Sequence, residues 1–122
     1  MTNVVIQNTN RPLPSGLQAV YCDSFACRLR GLMFRHALDP DHGLLLVEGR
    51  DSRVDASIHM LFVYMDLGVI WINSDHRVVD TVLARAWHLA YAPRDPARYI
   101  LEINPARLGE FQLGDHIEFN HV

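Results

Sequence analysis

Seven histidines, at positions 36, 42, 59, 76, 88, 116 and 121, are the first residues in this chain that could do chemistry. Metal ligands need close, convergent spacing, and neither His-x-His nor His-Glu-x-x-His occurs. The expectation is therefore no bound metal and no cofactor. His42, His76, His116 and His121 fall in turns or near the C-terminus. His59 differs, because it lies in an apolar stretch between Ile58 and Met60. There it is either a core histidine satisfied by a carbonyl or carboxylate, or a pocket residue whose charge follows its partner.

The carboxylates offer two isolated candidates. Asp66 interrupts an apolar run, and Glu102 stands on a strand with apolar neighbours. Glycoside hydrolysis needs a facing pair, which this spacing does not supply. Arg28, Arg30 and Arg35 form a mild basic cluster. A solvated helix face accounts for it, and the competing reading has Arg28 clamping a carboxylate, that of Glu102 or of an anionic ligand, with its planar fork. Trp87 precedes a proline-rich loop and serves as a core lid or as the aromatic wall of a pocket. Cys22 and Cys27 are five residues apart, a poor zinc spacing and not a redox Cys-x-x-Cys, so they are expected to pack as small hydrophobes.

All eleven basic residues are arginine and none is lysine. This removes Schiff-base lysine chemistry, a lysine general base and the P-loop. A net charge of −3 disfavours nucleic acid as a partner. No run reaches the roughly 18 apolar residues of a membrane span, and the first residues lack a basic start and an apolar core. The expectations are no membrane association and a cytoplasmic location.

These residues must be positioned by a chain of 122 residues, enough for one domain over 1–122. Turn clusters recur between short apolar stretches, which is the pattern of a sheet protein. Strands are expected at Val4–Ile6, Gln18–Cys22, Gly43–Val47, Tyr99–Asn104 and around Ile117–Phe119, the last edge-like. Ser57–Met65 and Val69–Asn73 are nearly continuous apolar runs and read as central strands covered on both faces. The Asn73–His76 turn joins the second run to Arg77–Leu83 as a hairpin. One helix is expected near residues 24–36, capped by Asp23 or Ser24, with Gly31 a weak point inside it. The fold class that follows is mainly β: a single-domain β-sandwich or flattened barrel of about seven to eight strands with one short helix.

Arg28-Leu29-Arg30-Gly31-Leu32-Met33, Gly43-Leu44-Leu45-Leu46, Ser57-Ile58-His59, Val69-Ile70-Trp71-Ile72-Asn73, Arg77-Val78-Val79, Trp87, Tyr99-Ile100-Leu101-Glu102 and Gly114-Asp115 follow one another in an order that resembles domain-of-unknown-function family 192. This family of small bacterial and archaeal proteins is matched over about residues 20–119. The resemblance implies a mainly-β fold and no established activity. Many relatives look exported; the first residues here do not read as such a leader, and the expectation is a chain that is not exported. Relatives follow the Ser-Ile-His block with Met-Arg or Met-Lys-Asn and then Pro-hydrophobic-Asp. Here the stretch is Val63-Tyr64-Met65-Asp66-Leu67-Gly68, with Tyr64 in place of the basic residue, Asp66 of the proline and Gly68 of the aspartate. Either a ligand site of the family is altered or partly lost here, or, as the paired loss of one basic and one acidic residue reads more economically, a structural salt bridge has been replaced.

Together these readings lead to an expected small-molecule binding module, for a polar metabolite or carbohydrate. Its candidate ligand-binding residues are His59, Trp87, Glu102, Arg28, Tyr64 and Asp66. The alternatives are a protein-interaction or self-association module, with an oligomer possible, and an enzyme using His59 as general base beside Glu102.

Overall fold

The computed structural model describes residues 2–122. Seven strands appear in chain order: β1 (Asn3–Asn8), β2 (Gln18–Cys22), β3 (His42–Ser52), β4 (Leu67–Ile72), β5 (Val78–Ala84), β6 (Ala97–Ile103) and β7 (Ile117–His121). A six-residue helix, α1 (Phe25–Arg30), follows β2, and a 3-10 helix covers Pro105–Glu110. The strands form one mixed sheet in the order β5-β4-β6-β3-β2-β1-β7. Every neighbouring pair is antiparallel except β2 and β3, whose parallel pairing requires the crossover that carries α1.

The mainly-β expectation holds, and where a sandwich or flattened barrel was expected the strands share a single open sheet. It curls until its edges meet at one end only. There Arg77 and His116 form an isolated bridge, and the Val78 N–H donates to the Asp115 carbonyl (2.9 Å). Side chains from all seven strands, among them Ile6, Ala19, Leu45, Ile70, Val78, Leu101 and Ile117, fill the core inside this curl. The opposite face of the central strands buries a second core. Leu44, Leu46, Val69, Trp71 and Ile100 supply it from the sheet; Leu32, Ala56, Ile58, Met60 and Val63 cover it. Central strands apolar on both faces follow, and β4 is buried along its whole length.

The second core explains why residues 57–65 are not the central strand their composition suggests. The segment is a covering loop with one bridge, Ile58 to Tyr91. Its Ile58, Met60 and Val63 point into the sheet face, and the buried Trp71 indole ties the segment before it down by donating to the Ala56 carbonyl (2.8 Å). The expected hairpin is present as β4–β5. Its turn is held by the Asn73 side chain, which accepts the N–H groups of Asp75 and Arg77 (both 3.0 Å). The helix is shorter than residues 24–36, because Gly31 does not lie within it. Its φ of +50° ends α1, with its N–H bonded to the Cys27 carbonyl (2.9 Å).

Candidate functional site

α1 buries no side chain of its own, so its place over the sheet depends on tethers. Ser24 caps it by accepting the Cys27 N–H (3.1 Å). Cys22, buried at the end of β2, is disulfide-bonded to Cys27 on the helix, which corrects the expectation of two packed thiols. Arg28 lies 3.3 Å from Glu48 on β3 and donates to the carbonyls of Asp23 and Val47. Burial raises the Glu48 carboxyl above its ordinary range, and Arg28 partly counters that. Arg28, read from the sequence as part of a solvated helix face or as a clamp on Glu102 or a ligand, is thus a clamp between helix and sheet.

Under α1 and the chain that follows it lies a cavity of about 360 Å³. Val20, Leu32, Leu38 and Leu44 provide apolar walls, and Arg30, Arg35 and His42 provide basic groups. Gly43 is required at its floor, because a Cβ there would come within 2.8 Å of the Glu102 carbonyl.

Glu102 stands directly opposite Leu44 on β3 and Val69 on β4. Opposed residues in antiparallel strands share a face, so its carboxyl points to the side on which the cavity lies. Only 5% of the residue is exposed. Among the described residues no protein group bonds or ion-pairs with the carboxyl, and burial alone raises its pKa to about 7. Its oxygens are not sealed, since among the described residues no fully buried side-chain oxygen lacks a partner. The physical result is a carboxyl group that changes charge near neutrality and still has free hydrogen-bonding capacity.

The remaining candidates lie elsewhere. Tyr64 and Trp87 meet edge to face, 5.5 Å between ring centroids, within an exposed aromatic cluster. Phe62 packs on Trp87 (5.3 Å), Phe34 on Phe62 (5.5 Å), and His36 stacks on Tyr64 (4.6 Å). Phe34, Phe62 and Trp87 all have φ between +60° and +68°, a region costly for non-glycine residues. Backbone bonds hold them there: Phe34 N–H to the Phe62 carbonyl (2.7 Å) and Trp87 N–H to the Met60 carbonyl (2.9 Å). Asp66 fixes the chain entering Trp87, accepting the Ala86 N–H (2.9 Å) and pairing with Arg85 (3.3 Å). Gly68 is a packing position, since a Cβ would sit 3.3 Å from Ile103 and Leu108.

His59 is exposed, so of its two readings the core histidine does not hold. No hydrogen bond or ion pair joins it to Glu102, so the pair does not form an acid–base couple. Among the described residues no three His, Cys, Asp or Glu side chains converge on a common point.

Sequence reasoning does not single out Arg30 or Arg35 beyond their shared cluster, and it misses Arg107. Arg107 is buried and donates to the carbonyls of Ser15, Gly16 and Pro40 (2.8–2.9 Å) while gripping Glu110 (2.9 Å). Its only sequence signal is the Asn104-Pro105 start of the 3-10 helix.

Fold and cleft together define a small mainly-β domain in which a short helix roofs a basic-rimmed cavity. The chain belongs to domain-of-unknown-function family 192, described as Uncharacterized ACR, whose model matches residues 5–119. It is 34% identical over 118 residues to UPF0127 protein PH1112 of Pyrococcus horikoshii, covering 94% of this chain and 98% of that one. It is 39% identical over 100 residues to a UPF0127 protein of Thermococcus gammatolerans, covering 80% of this chain. The match spans only 63% of that relative's length. A solved structure from Sinorhizobium meliloti 1021, described as a candidate transcription regulator, superposes with a TM-score of 0.79 at 26% identity, over 97% of this chain and 92% of that one. A protein of unknown function from Novosphingobium aromaticivorans shares the fold, with a TM-score of 0.77 at 24% identity over 95% and 83% of the two chains.

Proposed function

We propose that this domain is a small-molecule binding module whose ligand occupies the cavity under α1 and meets Glu102. The observation that carries this reading is the carboxyl itself. A buried carboxyl with no protein partner is destabilising, and a ligand that bonds to it removes that cost. The cavity volume falls within the range of ligand sites, and apolar walls with few polar groups are their usual composition. The net charge of −3 favours such a ligand over a nucleic acid. The regulator description stays with the Sinorhizobium protein.

A second reading, an interaction module, draws on the exposed aromatic cluster around Trp87, where strained backbone holds rings toward solvent. The Cys22–Cys27 disulfide also favours an oxidising compartment over the expected cytoplasmic one. A fragment screen followed by methyl and aromatic 13C NMR separates the two readings. Hits that shift Val20, Leu32 and Leu44 together support the cavity. Hits confined to resonances of Phe34, Phe62, Tyr64 and Trp87 contradict it.

A further inference from the structure

Eight of the eleven arginines spend their guanidinium on a protein acceptor. Arg11 holds Asp115, Arg28 Glu48, Arg50 Asp55, Arg85 Asp66 and Arg107 Glu110. Arg53, Arg77 and Arg98 donate to the carbonyls of Pro93, Gly114 and Glu48. Three guanidiniums, those of Arg30, Arg35 and Arg94, have no protein partner among the described residues. Two of these three line the same cavity. In a chain with more acidic than basic residues, two unpaired guanidiniums at one cavity form a local excess of positive charge. His42, also on this rim, lies 3.8 Å from Asp39.

Building on the proposed cavity site, we infer that the ligand is a small amphipathic anion. Its carboxylate or similar oxyanion is held by Arg30 and Arg35, its apolar body lies against Leu32, Leu38 and Leu44, and a hydroxyl at its far end bonds to Glu102. Each part follows from the chemistry present. A guanidinium fork matches a planar carboxylate with two parallel bonds. The walls between rim and floor are aliphatic, so the middle of the ligand is apolar. Glu102 does not itself line the cavity, but its cross-strand neighbour Leu44 and the adjoining Gly43 do. A ligand that reaches past them meets a carboxyl oxygen that accepts from a hydroxyl and that a purely apolar tail would leave unpartnered.

Three probes of matched size test this by calorimetry and methyl NMR: 3-(4-hydroxyphenyl)propionate, 3-phenylpropionate and tyramine. The hydroxylated acid is expected to bind tightest, with 3-phenylpropionate several-fold weaker and tyramine at least tenfold weaker. Arg30→Gln with Arg35→Gln should weaken both acids at least tenfold and leave tyramine unchanged. Both arginines are exposed and unpaired, so the double variant should melt with the wild type, which separates lost binding from lost folding. Tyramine binding as well as the acids, or an unaffected double variant, overturns the anionic class while the cavity stands. If no probe moves the Leu32, Leu38 or Leu44 methyls at millimolar concentration, both the class and the cavity reading fail.

Discussion

Glu102 lies directly opposite Leu44 across the β3–β6 ladder, with Val69 at its other flank, in a row that continues to Val20 on β2 and Val82 on β5. A single carboxyl group therefore interrupts an otherwise aliphatic row across these five strands. Packing gains nothing from it, since a leucine would fill such a position at no desolvation cost. On the proposed reading, a ligand that bonds to the carboxyl gives the residue its use.

Stability should fall as pH rises through this group's range. The folded state holds the Glu102 proton up to about pH 7, whereas the unfolded chain releases it near 4.5. Its stability contribution is therefore most favourable below pH 4.5 and diminishes between 4.5 and 7. The full change is on the order of 3 kcal/mol. Urea melts of wild type and Glu102→Gln at several pH values should show the variant gaining relative stability across this window. A constant difference contradicts it.

Asp115 should act with the opposite sign at lower pH. Burial alone would raise its carboxyl, and bonds from Arg11, Asn8 and the Gln112 N–H outweigh that and lower it. Its contribution is present above the ordinary aspartate range and lost as pH falls through its lowered pKa. Asp115→Asn should flatten the acid limb of the stability curve in the same melts.

How far the sequence reveals this structure depends on where each controlling partner lies. The bounds of β2 and the β4–β5 hairpin are set by neighbours in the chain, and both are readable. Glu102 is conspicuous because its own strand neighbours are apolar. Residues 57–65 mislead because a loop covering a sheet face is as continuously apolar in sequence as a strand buried on both faces. Arg28 has several acidic candidates in the sequence, Glu102 among them, and its real partner, Glu48, becomes visible only with the β2–β3 crossover in place. The disulfide spans a spacing that matches no common motif. Arg107 is satisfied by carbonyls about 67 to 92 residues away, which no local pattern records.

Arg107→Ala should cost about 3–5 kcal/mol, because it leaves three carbonyls and a carboxylate without their shared donor. Arg107→Lys should recover only part of this, since an ammonium cannot reproduce the fork. Chemical denaturation measures both, and a loss below about 1 kcal/mol for alanine would remove Arg107 as the anchor of the 3-10 helix.

Cys27→Ser should lower stability by about 2 kcal/mol, the loop-closure value for so short a separation. Protein denatured without reductant should titrate no free thiol. The variant should also weaken probe binding, since Cys27 lines the cavity and anchors its roof.

At Trp87 the backbone and the ring can be separated. With φ at +68°, Trp87→Gly should be more stable than Trp87→Ala by about 1 kcal/mol, although glycine is normally the worse substitution. Thermal melts of the pair decide this, and an alanine variant equal to or better than glycine would contradict the strained geometry.

The most direct measurement is the 13C shift of the Glu102 carboxyl, followed through a pH titration with and without saturating 3-(4-hydroxyphenyl)propionate. The free protein should titrate near pH 7, and the bound protein should show a displaced midpoint and a changed limiting shift. An identical curve in the presence of the bound probe would place the ligand away from Glu102 and contradict the binding role proposed for that carboxyl.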